Sequence, residues 1–230
     1  MKALSRMFLF ALTLALAVMS GTAQAGTKPL SPNASARGTS YADLTAAWLE
    51  WTTAVPASIN PILDADGTFA GEGQTGKIWF LTGTTTGGSV TRHVTIPAGT
   101  ALFFPIVNYF WVNTPEYGDP AWSPEQEAAV RDLMAEVVDT AENLVLQIDG
   151  QAVPNLDALR VSGSVGACTL PDDNIFGLVF DPGPHDCVAD GYWALLPPLS
   201  VGQHTIHFSG GFSSPAFELD VTYEITVSAH

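Results

Sequence analysis

Between Ile96 and Trp111 the chain reads IPAGTALFFPIVNYFW, an almost unbroken apolar run. Its core, Ala101 to Val112, is shorter than the roughly 20 residues a membrane helix needs, and Pro105 interrupts it. An alternating strand has one wet face, whereas a continuously apolar strand has both faces covered. The run therefore predicts a central, doubly buried strand, bent or bulged at Pro105, where proline has no N–H for the ladder. Asn108 sits among these apolar neighbours and needs partners, because an unpaired buried amide costs about 1–3 kcal/mol.

Two other stretches carry the helical period. In TSYADLTAAWLEWTTAVP, Thr39 or Ser40 can cap, Asp43 falls in the first turn, and Tyr41, Leu44, Trp48 and Trp51 share one face until Pro56 ends the helix. In WSPEQEAAVRDLMAEVVDTAEN, Ser123 caps, Pro124 takes the first helical position and Gln126 completes a capping box. There Val130, Leu133, Met134, Val137, Val138 and Ala141 form the apolar stripe, opposite a solvated row of carboxylates.

The rest has the texture of strands. KIWFLTGT and VTRHVTI are joined through the Thr/Gly turn at Gly87-Gly88, with Val90, Arg92, Val94 and Ile96 on one face and Thr91, His93 and Thr95 on the other. LVLQIDGQAV is a hairpin turning at Asp149-Gly150. ALRVSG, FGLVF, YWALLPPL, QHTIHFSG and FELDVTYEITV follow, short strands separated by turn residues. Together they predict a mainly β fold: an antiparallel β-sandwich, with a jelly-roll order as one option, carrying an N-terminal helix and one inserted helix at about 123–142.

Residues 1–25 change the setting. Lys2 and Arg6, the apolar stretch Met7 to Met19 and the AQA ending predict a cleaved export signal, leaving an extended segment over 26–40 and a single domain over 41–230. The chain is expected to be secreted or periplasmic, with no membrane span after cleavage. Its two cysteines, Cys168 and Cys187, then predict one disulfide, whose loop of about 20 residues contributes roughly 3 kcal/mol in the chain-entropy picture. Net charge is −15, and −17 once Lys2 and Arg6 are removed. Such a surface repels phosphate backbones, which excludes nucleic acid as a partner, and it suits neutral ligands or cations.

Candidate chemistry is sparse. No nucleophile elbow, zinc-protease pair, phosphate loop or CxxC is present. His204 and His207, three apart on a strand, point to opposite faces. If the strands of His93 and His207 are neighbours, those two could meet and take Asp186 (or His185) as a third group for acid/base or transition-metal chemistry. DADG offers Asp64 and Asp66 as the opening of a calcium loop, although Gly73 stands where an EF-hand places its glutamate. Arg92, one of few cations, is expected to pair with a carboxylate, or else to clamp a substrate.

The segments YADLTAAWLEWTTAVP, GKIWFLTGT, TRHVTIPAGTALFFPIVN, DGYWALLPPLSVGQHTIHFSG and FELDVTYEITV together resemble a family of uncharacterised secreted bacterial proteins, spanning most of the chain after the signal. The resemblance implies a shared exported domain and brings no activity and no site residue.

Three expectations of different class follow. The first is a non-catalytic binding module for extracellular material, above all glycan, in which Trp48, Trp51, Trp111 and Trp122, with Tyr117 and the amide of Asn108, supply the binding surface; sugar rings stack on aromatic faces. The second is a secreted hydrolase or lyase using His93, His207 and Asp186, metal-assisted or not. A third is a cell-envelope structural protein.

Overall fold

The structure, a computed structural model, describes residues 27–36, 38–114, 121–181 and 183–229; the export signal at 1–25 and Tyr117 lie outside them. Two five-stranded sheets form a sandwich. In the first, β3 (Ile78–Phe80), β5 (Ala101–Val112), β10 (Pro184–Leu196) and β8 (Arg160–Ser162) lie in that order, and β9 (Gly166–Thr169) pairs the other end of β10. The second runs β4 (Gly88–Pro97), β12 (Ala216–Ser228), β11 (Gly202–Ser213), β6 (Ala141–Ile148) and β7 (Gln151–Ala152). A small ribbon, β1 (Ser35–Ala36) with β2 (Thr39–Ser40), precedes helix α1 (Tyr41–Ala54). Helix α2 (Pro124–Val138) is inserted between β5 and β6. Pairing is antiparallel except at β3–β5 and β4–β12, two parallel contacts that an antiparallel jelly roll does not contain.

β5 behaves as its composition dictates. It lies between β3 and β10, and Leu102 through Val107 are fully buried. Leu102 and Phe104 face the core between the sheets, where Phe104 stacks on Phe208 with centroids 5.2 Å apart. Phe103 faces the opposite way, into a second core beneath α1, and stacks on Trp193 at 5.3 Å. The register slips once, between Val107–Tyr192 and Pro105–Trp193, so Ile106 is an extra residue beside the proline that cannot donate.

α1 is capped by Ser40, whose hydroxyl accepts from the Asp43 N–H, and its apolar stripe covers the outer face of the first sheet. Trp48 and Trp51 belong to that stripe. Trp48 is fully buried and donates its indole N–H to the Leu81 carbonyl at 2.8 Å; Trp51 donates to the Glu72 carbonyl at 2.9 Å. These two rings are core, and the expectation that they line a ligand groove is corrected: a helix with one apolar face spends it on the sheet. Tyr41 ties the N-terminal segment down, donating to the Leu30 carbonyl and accepting from the Leu195 N–H, and burial pushes its hydroxyl up to about 12.

The disulfide joins Cys168 on β9 to Cys187 on β10, adjacent strands with Cα atoms 5.9 Å apart. Within the loop it closes, FGLVF is not a strand. The buried Asn174 takes over its backbone: Nδ2 donates to the Pro171 and Leu178 carbonyls, and Oδ1 accepts from the Phe176 N–H at 3.0 Å. No helix among the described residues is long and apolar enough to cross a membrane.

Candidate functional site

The connection from β3 to β4 is not a hairpin but a crossing from one sheet to the other, and Arg92 makes it so. Its side chain points inward with Val94 and Ile96, as the period of β4 requires, and is 1% exposed. Instead of a carboxylate it meets main-chain carbonyls. Nε donates to Asp64 O at 2.8 Å; Nη1 donates to Thr82 O at 2.7 Å, Gly83 O at 2.9 Å and the Tyr223 hydroxyl at 2.8 Å. The expected carboxylate partner is thus corrected, and so is the substrate clamp, since the guanidinium is buried with Nε and Nη1 committed to the fold, while Nη2 makes no hydrogen bond within the described residues. Tyr223 adds a bond from its hydroxyl to Thr82 O and places its ring 5.5 Å from the guanidinium carbon. Thr82 and Gly83 are held toward the second sheet, so β3 covers β5 only from Ala101 to Phe103.

Where the chain leaves β5, a cavity of about 390 Å³ opens, within the range of small-ligand sites. β5 supplies Pro105, Ile106, Asn108, Tyr109 and Phe110 to its wall. The tip of the β11–β12 hairpin supplies Phe212, Pro215, Ala216 and Phe217, the departing chain Thr84 and Thr85, and the disulfide loop Phe176. Phe176 is set edge-on to Phe110 at 6.2 Å, and Tyr109 edge-on to Phe212 at 6.5 Å. Among the described residues no acidic, basic or histidine side chain lines the cavity. Its wall includes Asn108, whose Nδ2 is buried and makes no hydrogen bond within the described residues.

Of the expected binding residues that are described, only Asn108 lines this cavity. Trp111 and Trp122 flank a separate, shallower groove of about 230 Å³ together with Gln126, Ala129, Val130 and Leu133 of α2. The sequence reading missed Tyr109, Phe110, Phe176, Phe212 and Phe217. One signal for them exists: FSSPAF places aromatic rings on both sides of a Ser-Ser-Pro turn, so both must sit at one hairpin tip. A wider depression of about 430 Å³ on the outer face of the second sheet, lined by Ser89, Asn143, Glu218 and Asp220, is open and encloses nothing.

The proposed catalytic group does not assemble. His93 and His207 do share the outer face of the second sheet, but β12 runs between their strands and their registers differ by two residues. Strand spacing and rise then put their Cα atoms about 12 Å apart. Each has its own carboxylate: His93 Nδ1 lies 3.1 Å from Glu224, and His207 Nε2 3.3 Å from Asp220. Asp186 is on β10 in the other sheet, where it accepts the Trp122 N–H at 2.7 Å. His185, its neighbour, is buried, with Nε2 2.9 Å from the Asp181 carbonyl.

The DADG turn is occupied by its own backbone. Asp64 accepts the N–H groups of Asp66, Gly67 and Phe69, at 3.1, 3.1 and 2.7 Å. Asp66 accepts both the N–H and the hydroxyl of Thr68, and that hydroxyl holds its carboxyl below the usual carboxylate range. No third ligand arrives: no group of three or more His, Cys, Asp or Glu among the described residues could hold a metal ion. The calcium-loop expectation for Asp64 and Asp66 is therefore corrected to a hydrogen-bonded turn.

No protein-family model matches the chain, and no curated protein does. A solved structure described as "Solution Structure of Amebosin" is similar over 61% of this chain and 96% of that one, at 14% identity and a TM-score of 0.18. A likeness at that TM-score supports no conclusion about fold or activity.

Proposed function

We propose that this is an exported, non-catalytic binding module whose ligand site is the aromatic cavity at the β11–β12 tip. The observation that carries the reading is the cavity itself: five aromatic rings from three separate parts of the chain converge on one partly open, uncharged space. Its ligand is uncharged and mostly apolar, because a charged group would lose solvent there with no counter-charge and the wall is mainly apolar rings. The environment-sensitive dye N-phenyl-1-naphthylamine tests this. Saturable, single-site fluorescence enhancement is expected. Ala216→Trp, a change at an exposed rim position that fills the cavity from outside, should weaken it about tenfold or more, the equivalent of about 1.4 kcal/mol. Enhancement that Ala216→Trp leaves unchanged would place the dye elsewhere and defeat the reading.

Glycan binding, expected from the tryptophans, moves to the second groove, favoured by the one observation that Trp111 and Trp122 flank it. Retention on insoluble polysaccharide should then be lost in Trp122→Ala and kept in Ala216→Trp. Retention by neither groove, with no dye binding, would leave the cell-envelope structural role.

A further inference from the structure

Tyr109 and Phe110 are consecutive on β5, so their side chains leave opposite faces of the sheet. Tyr109 packs with the core between the sheets, and Phe110 with the core beneath α1, against Trp48. Yet both line the same cavity. A cavity touched by two successive residues of a strand does not lie on either face; it straddles the strand's edge.

Among the described residues no strand pairs that edge at Asn108–Phe110. β10 pairs β5 along one side from Leu102 to Val112, whereas β3 pairs the other side only at Ala101 to Phe103. Further along that side, Pro105 through Val107 are buried, and the half-buried Asn108, Tyr109 and Phe110 all line the cavity, so three successive residues of β5 stand at it. Sheet edges in natural proteins are covered, shortened, twisted away or charged, because an open one is a template for another strand. Here the chain that could have covered it is drawn off by Arg92, and the cavity walls beside it are apolar and uncharged.

We propose that the occupant is an extended, uncharged peptide segment that adds to β5 at Asn108–Phe110 as a further strand. Its backbone pairs with the open edge, and two successive apolar side chains straddle β5 as Tyr109 and Phe110 do: one enters beside Tyr109 and Phe212, the next beside Phe110 and Phe176. Main-chain bonds supply affinity and the two-sided cavity supplies selectivity. The proposal rests on the cavity being the ligand site and names what fills it.

The probe is the blocked peptide acetyl-Ser-Leu-Phe-Ser-amide, with two versions N-methylated singly at Leu and at Phe. In an added strand only alternate N–H groups face the neighbour. One methylated peptide should therefore bind about tenfold more weakly than the parent and the other nearly as well. Amide exchange within Asn108–Phe110 should slow on binding the parent. Loss of affinity in neither methylated peptide, or in both, overturns the added strand. So does dye binding in the cavity with no binding of the parent peptide, an outcome that leaves the site itself standing. If neither dye nor peptide binds, the site falls with it.

Discussion

Arg92→Leu is expected to lower the stability of the mature protein by about 3–5 kcal/mol, among the larger effects a single substitution can have. Two opposing terms decide the sign. Removing a buried cation returns its desolvation cost, and apolar replacements of buried charges are in some proteins neutral for that reason. Here, however, the acceptors are carbonyls that stay where they are. Asp64 O and Gly83 O each lose the donor that Arg92 supplies, while Thr82 O keeps the Tyr223 hydroxyl. An unsatisfied buried acceptor costs about 1–3 kcal/mol, and leucine leaves part of the guanidinium volume empty. Arg92→Lys separates the contributions. An ammonium can serve the Thr82, Gly83 and Tyr223 oxygens that now share Nη1, but it cannot also reach Asp64 O, so a loss of about 1–2 kcal/mol is expected. Urea unfolding of the three proteins measures this. A leucine variant within about 1 kcal/mol of the parent would show that the crossing between sheets does not depend on Arg92.

The same residue shows where the sequence was legible. Period two along VTRHVTI put Arg92 on the face of Val94 and Ile96, and that placement is what the structure has. Its partners were misjudged because main-chain carbonyls carry no sequence signature, so a lone cation in an acidic chain suggests a carboxylate. The doubly buried β5, both capped helices, the Asp149-Gly150 turn and the disulfide followed from local rules of pattern and turn chemistry. FGLVF did not, because a single buried amide, Asn174, outbid sheet pairing for its backbone. The histidines illustrate a different limit. That His93 and His207 share a face could be read from alternation, but not that β12 separates them, since strand order is a long-range property. The aromatic cavity lies further still from local reading. Its walls come from residues more than a hundred positions apart, and among the described residues β3 pairs β5 no further than Phe103 before the crossing that Arg92 holds in place.

Gly67→Ala should also be severe, with a loss of about 3 kcal/mol, and it tests what the DADG turn is for. Gly67 has φ +96°, a backbone region that alanine enters at a cost of about 1–2 kcal/mol. A Cβ there would stand 2.6 Å from the His93 carbonyl oxygen and 2.7 Å from its nitrogen, and backbone cannot swing aside as a side-chain tip can. Such overlap adds about 1–3 kcal/mol. The contact is close because the turn docks on the edge of β4 that β12 leaves open: the Asp66 carbonyl accepts the His93 N–H at 2.8 Å, and the Asp64 carbonyl accepts Arg92 Nε. DADG is thus an edge cover, shaped by its own carboxylates and seated by a glycine. Gly71→Ala, in the same loop but with a Cβ no nearer than 4.0 Å to any neighbour, should stay within about 0.5 kcal/mol of the parent. Thermal melts of both variants, each with and without EDTA, read the two halves of the argument together. A large loss in Gly67→Ala alone, with no EDTA dependence in the parent, is the expected result. An EDTA-induced drop in the parent's melting temperature would return Asp64 and Asp66 to the role of calcium ligands, because the hydrogen bonds that close the turn need no ion.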